Sequence, residues 1–284
     1  MRKWIFFLFF LLLLVGGGYY AYNTYFISHE IPELKVPGQL APVYVEVGKE
    51  TEIPWYYLAA MDEVENKYEQ VEKEDIVQRA KQMKQALGSG KISEAAIERA
   101  IAKLLSPDKA EQVITIAESY KWATASLDQA YQFPFREEDR ELISYGDTWG
   151  AARSYGGERK HEGTDLMAPK GTPILSVSNG KIISKGWNTL GGWRLTIQDE
   201  EYPQMIYYYA HLSRYAEGLE KGDRVKKGEV IGYVGDSGYG PEGTTGQFAP
   251  HLHFGVFVRP SLWTPSRKAI NPYPFLKVWE QGNE

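Results

Sequence analysis

After Phe133 the chain is cut by glycine and proline into short runs rich in Val, Ile, Tyr and Trp. The runs are TPILSVSNGKIISKGW, GGWRLTIQD, QMIYYYAHL, EVIGYVGDSG and HLHFGVFV. β-Branched and aromatic residues suit a pleated, half-buried surface, and the intervening glycines and prolines supply turns. The pattern predicts an all-β domain over residues 135–275, in which few side chains reach any one place except from strand ends.

The preceding part reads differently. From Pro54 to about Ala130 the apolar residues recur at helical spacing. Tyr57, Met61, Val64 and Tyr68 share one face, and Ile76, Ala80, Met83 and Leu87 share another. Pro54 suits a first turn and Gly88 a helix end. Ser93 is a candidate cap, Pro107 a stop, and Asp108 with Glu111 resembles a capping box. Four helices with short connections predict a small all-α domain over 53–131. Residues 26–52, with prolines 32, 37 and 42, read as a linker. The first residues, MRKWIFFLFFLLLLVGGGYYAYNTYFIS, carry Arg2 and Lys3 and then no charge until Glu30. A membrane-spanning helix needs about 20 mostly apolar residues, which Trp4 to Tyr22 supply, with tyrosines 19, 20 and 22 at an interface. Residues 1–25 are therefore expected to anchor the chain in the cell membrane by a single pass, leaving the rest extracytoplasmic. The other reading is a cleaved signal peptide and a secreted protein, although no A-x-A site is evident. The remainder, 132–284, is the β domain.

Composition narrows the chemistry. The chain of 284 residues contains no cysteine, which excludes disulfides, thiolate metal sites and cysteine nucleophiles. A formal charge of −5 gives no reason to expect nucleic acid as a partner. Five histidines, His29, His161, His211, His251 and His253, must supply any imidazole chemistry, and His29 falls in the linker.

The segment KHEGTDL, Lys160 to Leu166, begins like the helical zinc motif H-E-x-x-H but holds Asp165 where the second histidine would stand. Gly163 and Thr164 lie inside it, and Pro169, Gly171 and Pro173 follow, so a helix is unfavourable. In an extended segment an even spacing also keeps two side chains on one side, so His161 and Asp165 can still converge. A third ligand must come from another strand, and PHLHFGV offers His251 and His253 at a spacing of two. Catalytic zinc takes three protein ligands and leaves one position for water. One of the pair completes the set, and the other would stand near the water as general base or carbonyl polariser. His211, in YYYAHLS, comes from a third strand end.

The segments HEGTD, YYAHL and HLHFGV, in this order, resemble the zinc peptidases of the lysostaphin and LytM type, peptidase family M23. The likeness extends through YGDTWGAARSYGGERKHEGTDLMAPKGTPILSVSNGKI and GDRVKKGEVIGYVGDSG and covers about residues 135–275. It implies a mainly antiparallel β peptidase domain of the duplicated-hybrid-motif type, with a groove over one zinc ion. It implies His161, Asp165 and His253 as metal ligands and His211 and His251 as the catalytic histidines, without deciding which of these two is the base. It also implies zinc-dependent endopeptidase activity on the peptides of peptidoglycan. The scissile bond stays open among the first stem-peptide bond, the D-amino-acid cross-link and a glycine bridge. The stretch YGDTWGAAR is most similar to membrane-anchored LytH-like proteins of Gram-positive spore formers, which suggests sporulation or cell-wall remodelling. The alternative is a non-catalytic relative that activates or structurally supports a cell-wall hydrolase.

Other features carry weaker expectations. Tyr145, Trp149, Tyr155, Trp187, Trp193 and Tyr239 are candidate groove residues, against the alternative of sheet core or rim. Arg153 and Arg159 are candidate clamps for stem-peptide carboxylates. IPWYYLAAMDEVEN resembles the opening of lysozyme-like transglycosylases, which would make Glu65 a general acid. The downstream segment of that family is missing, so the helical domain reads as a scaffold or a docking site for a cell-wall or sporulation partner. GDRVKKGEVIGYVGDSG also resembles biotinyl and lipoyl carrier turns, but Lys226 and Lys227 precede a glycine turn and read as β scaffold.

Overall fold

The computed structural model describes residues 15–18, 33–124, 131–259 and 266–281. The membrane-anchor reading of residues 1–25 and the linker histidine His29 lie outside these, apart from a short helical stretch at 15–18. Among the described residues no helix is long and apolar enough to cross a membrane.

Among the described residues from 33 onward, five α-helices precede the β domain: α1 (Ala41–Thr51), α2 (Trp55–Asn66), α3 (Lys73–Leu87), α4 (Glu94–Leu104) and α5 (Pro107–Tyr120). The helical spacing holds. Tyr57, Met61, Ile76, Ala80 and Met83 are buried, with Val64, Tyr68 and Leu87 packed against them. Ser93 caps α4 by accepting from the Ala96 amide at 3.3 Å. The capping box expected at Asp108 and Glu111 does not form. Pro107 is already the first residue of α5 and Ser106 its N-cap, because proline fits a first turn and brings the start forward. The expected linker 26–52 is corrected in part, since α1 lies within it. Pro42 stands in the first turn of that helix, and Tyr44, Val45 and Val47 are buried, so a face that includes β-branched valines beside Gly48 masked the period.

Among the described residues eleven strands follow: β1 (Ala152–Arg153), β2 (Arg159–Lys160), β3 (Thr164–Met167), β4 (Pro173–Leu175), β5 (Gly180–Asn188), β6 (Gly192–Asp199), β7 (Met205–Tyr215), β8 (Arg224–Val225), β9 (Val230–Val234), β10 (His251–Val258) and β11 (Lys268–Ile270). The main sheet has nine strands, ordered β11-β10-β7-β6-β5-β8 along its path, with β3 on β10 and β9 joining β4 to β7. All its ladders are antiparallel. The strand period decides which side of β10 is open. Leu252, Phe254, Val256 and Val258 point into the core, leaving His251, His253 and Phe257 on the opposite face. The lysine turn is scaffold, as read: Lys226 accepts from the Glu229 amide between β8 and β9.

A further helix, α6 (Tyr273–Gln281), follows β11 inside what read as β domain. Prolines 272 and 274 hide it in the sequence, yet Pro274 sits in the first turn, where its missing N–H costs nothing. Trp279 on α6 packs against Tyr131, Tyr207, Phe254 and Phe275. The same helix meets α1, and a side chain at Gly38 would collide with the Tyr273 ring. The helical and β parts therefore share one continuous core.

Candidate metal centre

The register of β3 against β10 sets Asp165 opposite His253, so their side chains are cross-strand neighbours on one face. His161 lies just before β3, in non-helical backbone. The resemblance to a helical zinc motif therefore has no structural counterpart. Gly163 makes the approach possible: a Cβ there would stand 2.5 Å from His253 Cε1 and 2.7 Å from the Phe254 carbonyl.

Three atoms converge. His161 Nε2 lies 3.0 Å from His253 Nδ1 and 3.1 Å from Asp165 Oδ1, and His253 Nδ1 lies 2.9 Å from Asp165 Oδ1. A tetrahedral zinc with ligands at ~2.0–2.1 Å separates them by about 3.3 Å, so the triangle needs to open by only a few tenths of an ångström. Two further observations support the fit. His161 Nδ1 donates to the Thr148 carbonyl at 3.0 Å, which leaves its Nε2 lone pair facing the other two donors. Arg153 Nη2 donates to Asp165 Oδ2 at 2.6 Å and leaves Oδ1 for the ion. Metal-bound imidazoles and carboxylates are usually held from behind in this way. Burial alone would raise the Asp165 pKa. Hydrogen bonds with His161 and His253, with the charges of His253 and His251, outweigh it and hold the carboxyl well below its ordinary range. Burial lowers the His253 pKa against the pull of Asp165. Both groups are thus in the forms a cation needs.

His211 and His251 stand beside this triangle, their rings 4.7 Å apart. Each donates Nδ1–H to a backbone carbonyl, His211 to Ser237 at 2.7 Å and His251 to Ala249 at 2.8 Å. Each thereby presents a free Nε2, and that of His251 lies 3.7 Å from Asp165 Oδ1. His211 sits at a kink of β7 with φ of 63°. Burial, joined by the charges of His251 and His253, pushes its pKa down to about 3, so the ring is held neutral with its Nε2 lone pair unprotonated.

These residues line one end of an open groove of about 950 Å³. Of the six aromatic candidates only Tyr239 lines it, with Tyr155 stacked on Tyr239 at 4.1 Å. Tyr145 hydrogen-bonds Glu280, Trp187 and Trp193 pack edge to face, and Trp149 lies outside the lining. Arg153, Arg159 and Lys160 all line the groove, but Arg153 is paired with Asp165 rather than free to clamp a substrate. Glu65 pairs with Arg79, which also holds the buried Asp62. Sequence reading missed Phe248, Tyr208, Arg194 and Arg267, which also line the groove, and the carbonyls of Thr148, Ser237 and Ala249 that orient three rings. Phe248 alone had a signal, standing three residues before His251.

Peptidase family M23 matches residues 159–272. The L-Ala--D-Glu endopeptidase of Bacillus subtilis (strain 168) is 44% identical over 154 residues, which are 54% of this chain and 44% of that protein. Lysostaphin of Staphylococcus simulans is 37% identical over 117 residues, 41% of this chain and 21% of that protein. The chain thus spans less than half the length of these curated relatives. A Ruminococcus gnavus crystal structure assigned to a glycyl-glycine endopeptidase LytM superposes with a TM-score of 0.57 at 29% identity. It covers 93% of this chain and 96% of that one, so the likeness includes the helical part.

Proposed function

We propose, from the premise that residues 159–272 are a peptidase family M23 domain, that this chain is a zinc-dependent endopeptidase cutting peptide bonds of peptidoglycan. The observation that carries the reading is the donor triangle of His161, Asp165 and His253 with two further imidazoles turned toward it. Zinc held by the three donors supplies a Lewis acid for the scissile carbonyl and lowers the pKa of bound water toward neutrality. The remaining work falls to the chain. His211 and His251, each fixed through Nδ1, present Nε2 so that one can accept a proton and a ring protonated there can donate to the developing oxyanion. Tyr239 and Phe248 pack around them, with Phe248 5.1 Å from the His251 ring, and limit their contact with water. A non-catalytic activator would have no use for three intact donors and two oriented imidazoles, which is why the enzymatic reading is preferred.

The finer reading follows from the relatives. The first bond of the stem peptide, between L-Ala and D-Glu, is the substrate we favour, because the Bacillus protein named for that cleavage is 44% identical over 154 residues. The apolar N-terminus supports anchorage in the cell membrane with the peptidase outside, and the LytH-like YGDTWGAAR stretch supports a role in spore-wall or cell-wall remodelling.

Mass spectrometry of muropeptides released by the zinc-loaded full chain tests the reading. New D-Glu amino ends are expected with the wild type and none with His253→Ala. Release that persists in the variant overturns the ligand set.

A further inference from the structure

The groove runs well beyond the five site residues, and its far part is basic although the protein as a whole carries a charge of −5. The open face of β10 leads from His253 to Phe257, four residues or about 13 Å along the strand. Tyr208 of β7 lies between them, 5.9 Å from the His253 ring and 6.2 Å from Phe257. The Arg267 guanidinium stacks 4.4 Å over Phe257. Arg194, on β6, reaches the same floor and donates from Nη1 to Ser184 Oγ at 2.6 Å. Neither guanidinium has a carboxylate within ion-pair distance among the described residues. Glu162, an acid that also lines the groove and attracts Arg267, makes no ion pair with either arginine among the described residues. Burial lowers the Arg267 pKa, and repulsion from Arg194 and Arg259 adds to it, against the pull of Tyr208 and Glu162. Like charges held together without a counter-ion repel, and a bound anion relieves that repulsion. The Tyr208 hydroxyl accepts from Asn188 Nδ2 at 3.1 Å, which leaves its own proton directed to a further acceptor.

We infer that Arg194, Arg267 and the Tyr208 hydroxyl form an anion subsite that binds a carboxylate of the substrate peptide three to four residues from the cleaved bond. The spacing follows from the distance along β10, since an extended peptide covers ~3.3–3.6 Å per residue. Guanidinium forks match carboxylate geometry, and stacking on Phe257 fixes the plane of one fork. The identity of the ligand rests on the proposed peptidase reading; the subsite itself rests on the groove.

A pair of synthetic stem peptides tests the subsite. They differ only in whether the residue three to four positions from the scissile bond carries a free carboxylate or a carboxamide. A reduced, uncleavable bond at the scissile position separates binding from turnover. Calorimetry with the zinc-loaded full chain should show the carboxylate form binding about tenfold more tightly, ~1.4 kcal/mol. The preference should fall below about twofold in the double variant Arg194→Gln, Arg267→Gln, with carboxamide affinity and zinc content unchanged, and should shrink as sodium chloride rises. A preference that survives the double variant, or none in the wild type, overturns the subsite. If the preference appears as expected but the cleavable peptide stays intact, the peptidase reading fails and the subsite stands. If cleavage occurs without preference, the reverse holds.

Discussion

Arg153 holds one oxygen of Asp165 and so decides which oxygen remains for the ion. Replacing it with Ala frees the carboxylate to rotate, and loss of such a supporting partner weakens metal binding about 10–100-fold. Titration with a competing chelator measures this, and unchanged affinity would remove Arg153 from the site's architecture. His211 makes a different prediction. Its pKa in the fold, about 3, lies below the ordinary 6.5, so the unfolded chain binds its proton first as pH falls. Stability from this group is full above about pH 6.5 and is lost between there and pH 3. His211→Asn, which tolerates the left-handed backbone at this position, should flatten urea stability of the metal-free chain across that window by a few kcal/mol at most. An unchanged slope would contradict the assigned burial effect. The five candidate site residues, which the structure brings together, were legible because imidazoles and carboxylates are rare chemical types at telling spacings. The groups that orient the rings were not, because a backbone carbonyl at Thr148, Ser237 or Ala249 bears no mark of residue type. The arginines were legible as charge but not as partners, and Arg153 turned out to hold a ligand rather than a substrate.

Among the elements, β3 and β10 matter most, since their register alone pairs Asp165 with His253. Gly163 permits that register by leaving room for the His253 ring. Gly163→Ala forces the ring or the strand to shift, at a cost of ~1–3 kcal/mol. The expected outcome is substoichiometric zinc by plasma emission analysis and a fall in peptide release of at least tenfold, with the far-ultraviolet circular dichroism unchanged. Full zinc occupancy would show that the sheet absorbs the methyl elsewhere. The alternation HLHFGVFV made β10 readable, and strong periodicity made α2 to α4 readable. The two helices that escaped, α1 and α6, each begin beside proline in a stretch dense with turn residues. There local signals favour breakage, and tertiary burial of Tyr44 or Trp279 overrides them.

At the scale of the whole molecule, the helical part is attached to the β sheet by shared packing rather than by a tether. The α1–α6 contact, the fit of Gly38 on Tyr273 and the stack of Tyr131 on Trp279 join the two in one core. The sequence suggested two bodies and a linker because its textures differ sharply at Phe133, and texture reports local structure, not contact. A continuous core should unfold as a unit. A ligand bound only by the native state adds RT ln(1 + [L]/Kd), about 2.7 kcal/mol at a hundred times Kd. Zinc bound in the β part should therefore protect the helices as well. Stripping the metal with a chelator should lower the thermal midpoint of helix ellipticity at 222 nm by the same amount as that of tryptophan fluorescence. His253→Ala should abolish the difference between loaded and stripped protein in both signals. A helix midpoint that ignores the metal while the fluorescence midpoint moves would mean that the two parts melt independently, and the shared core would then be too weak to couple them.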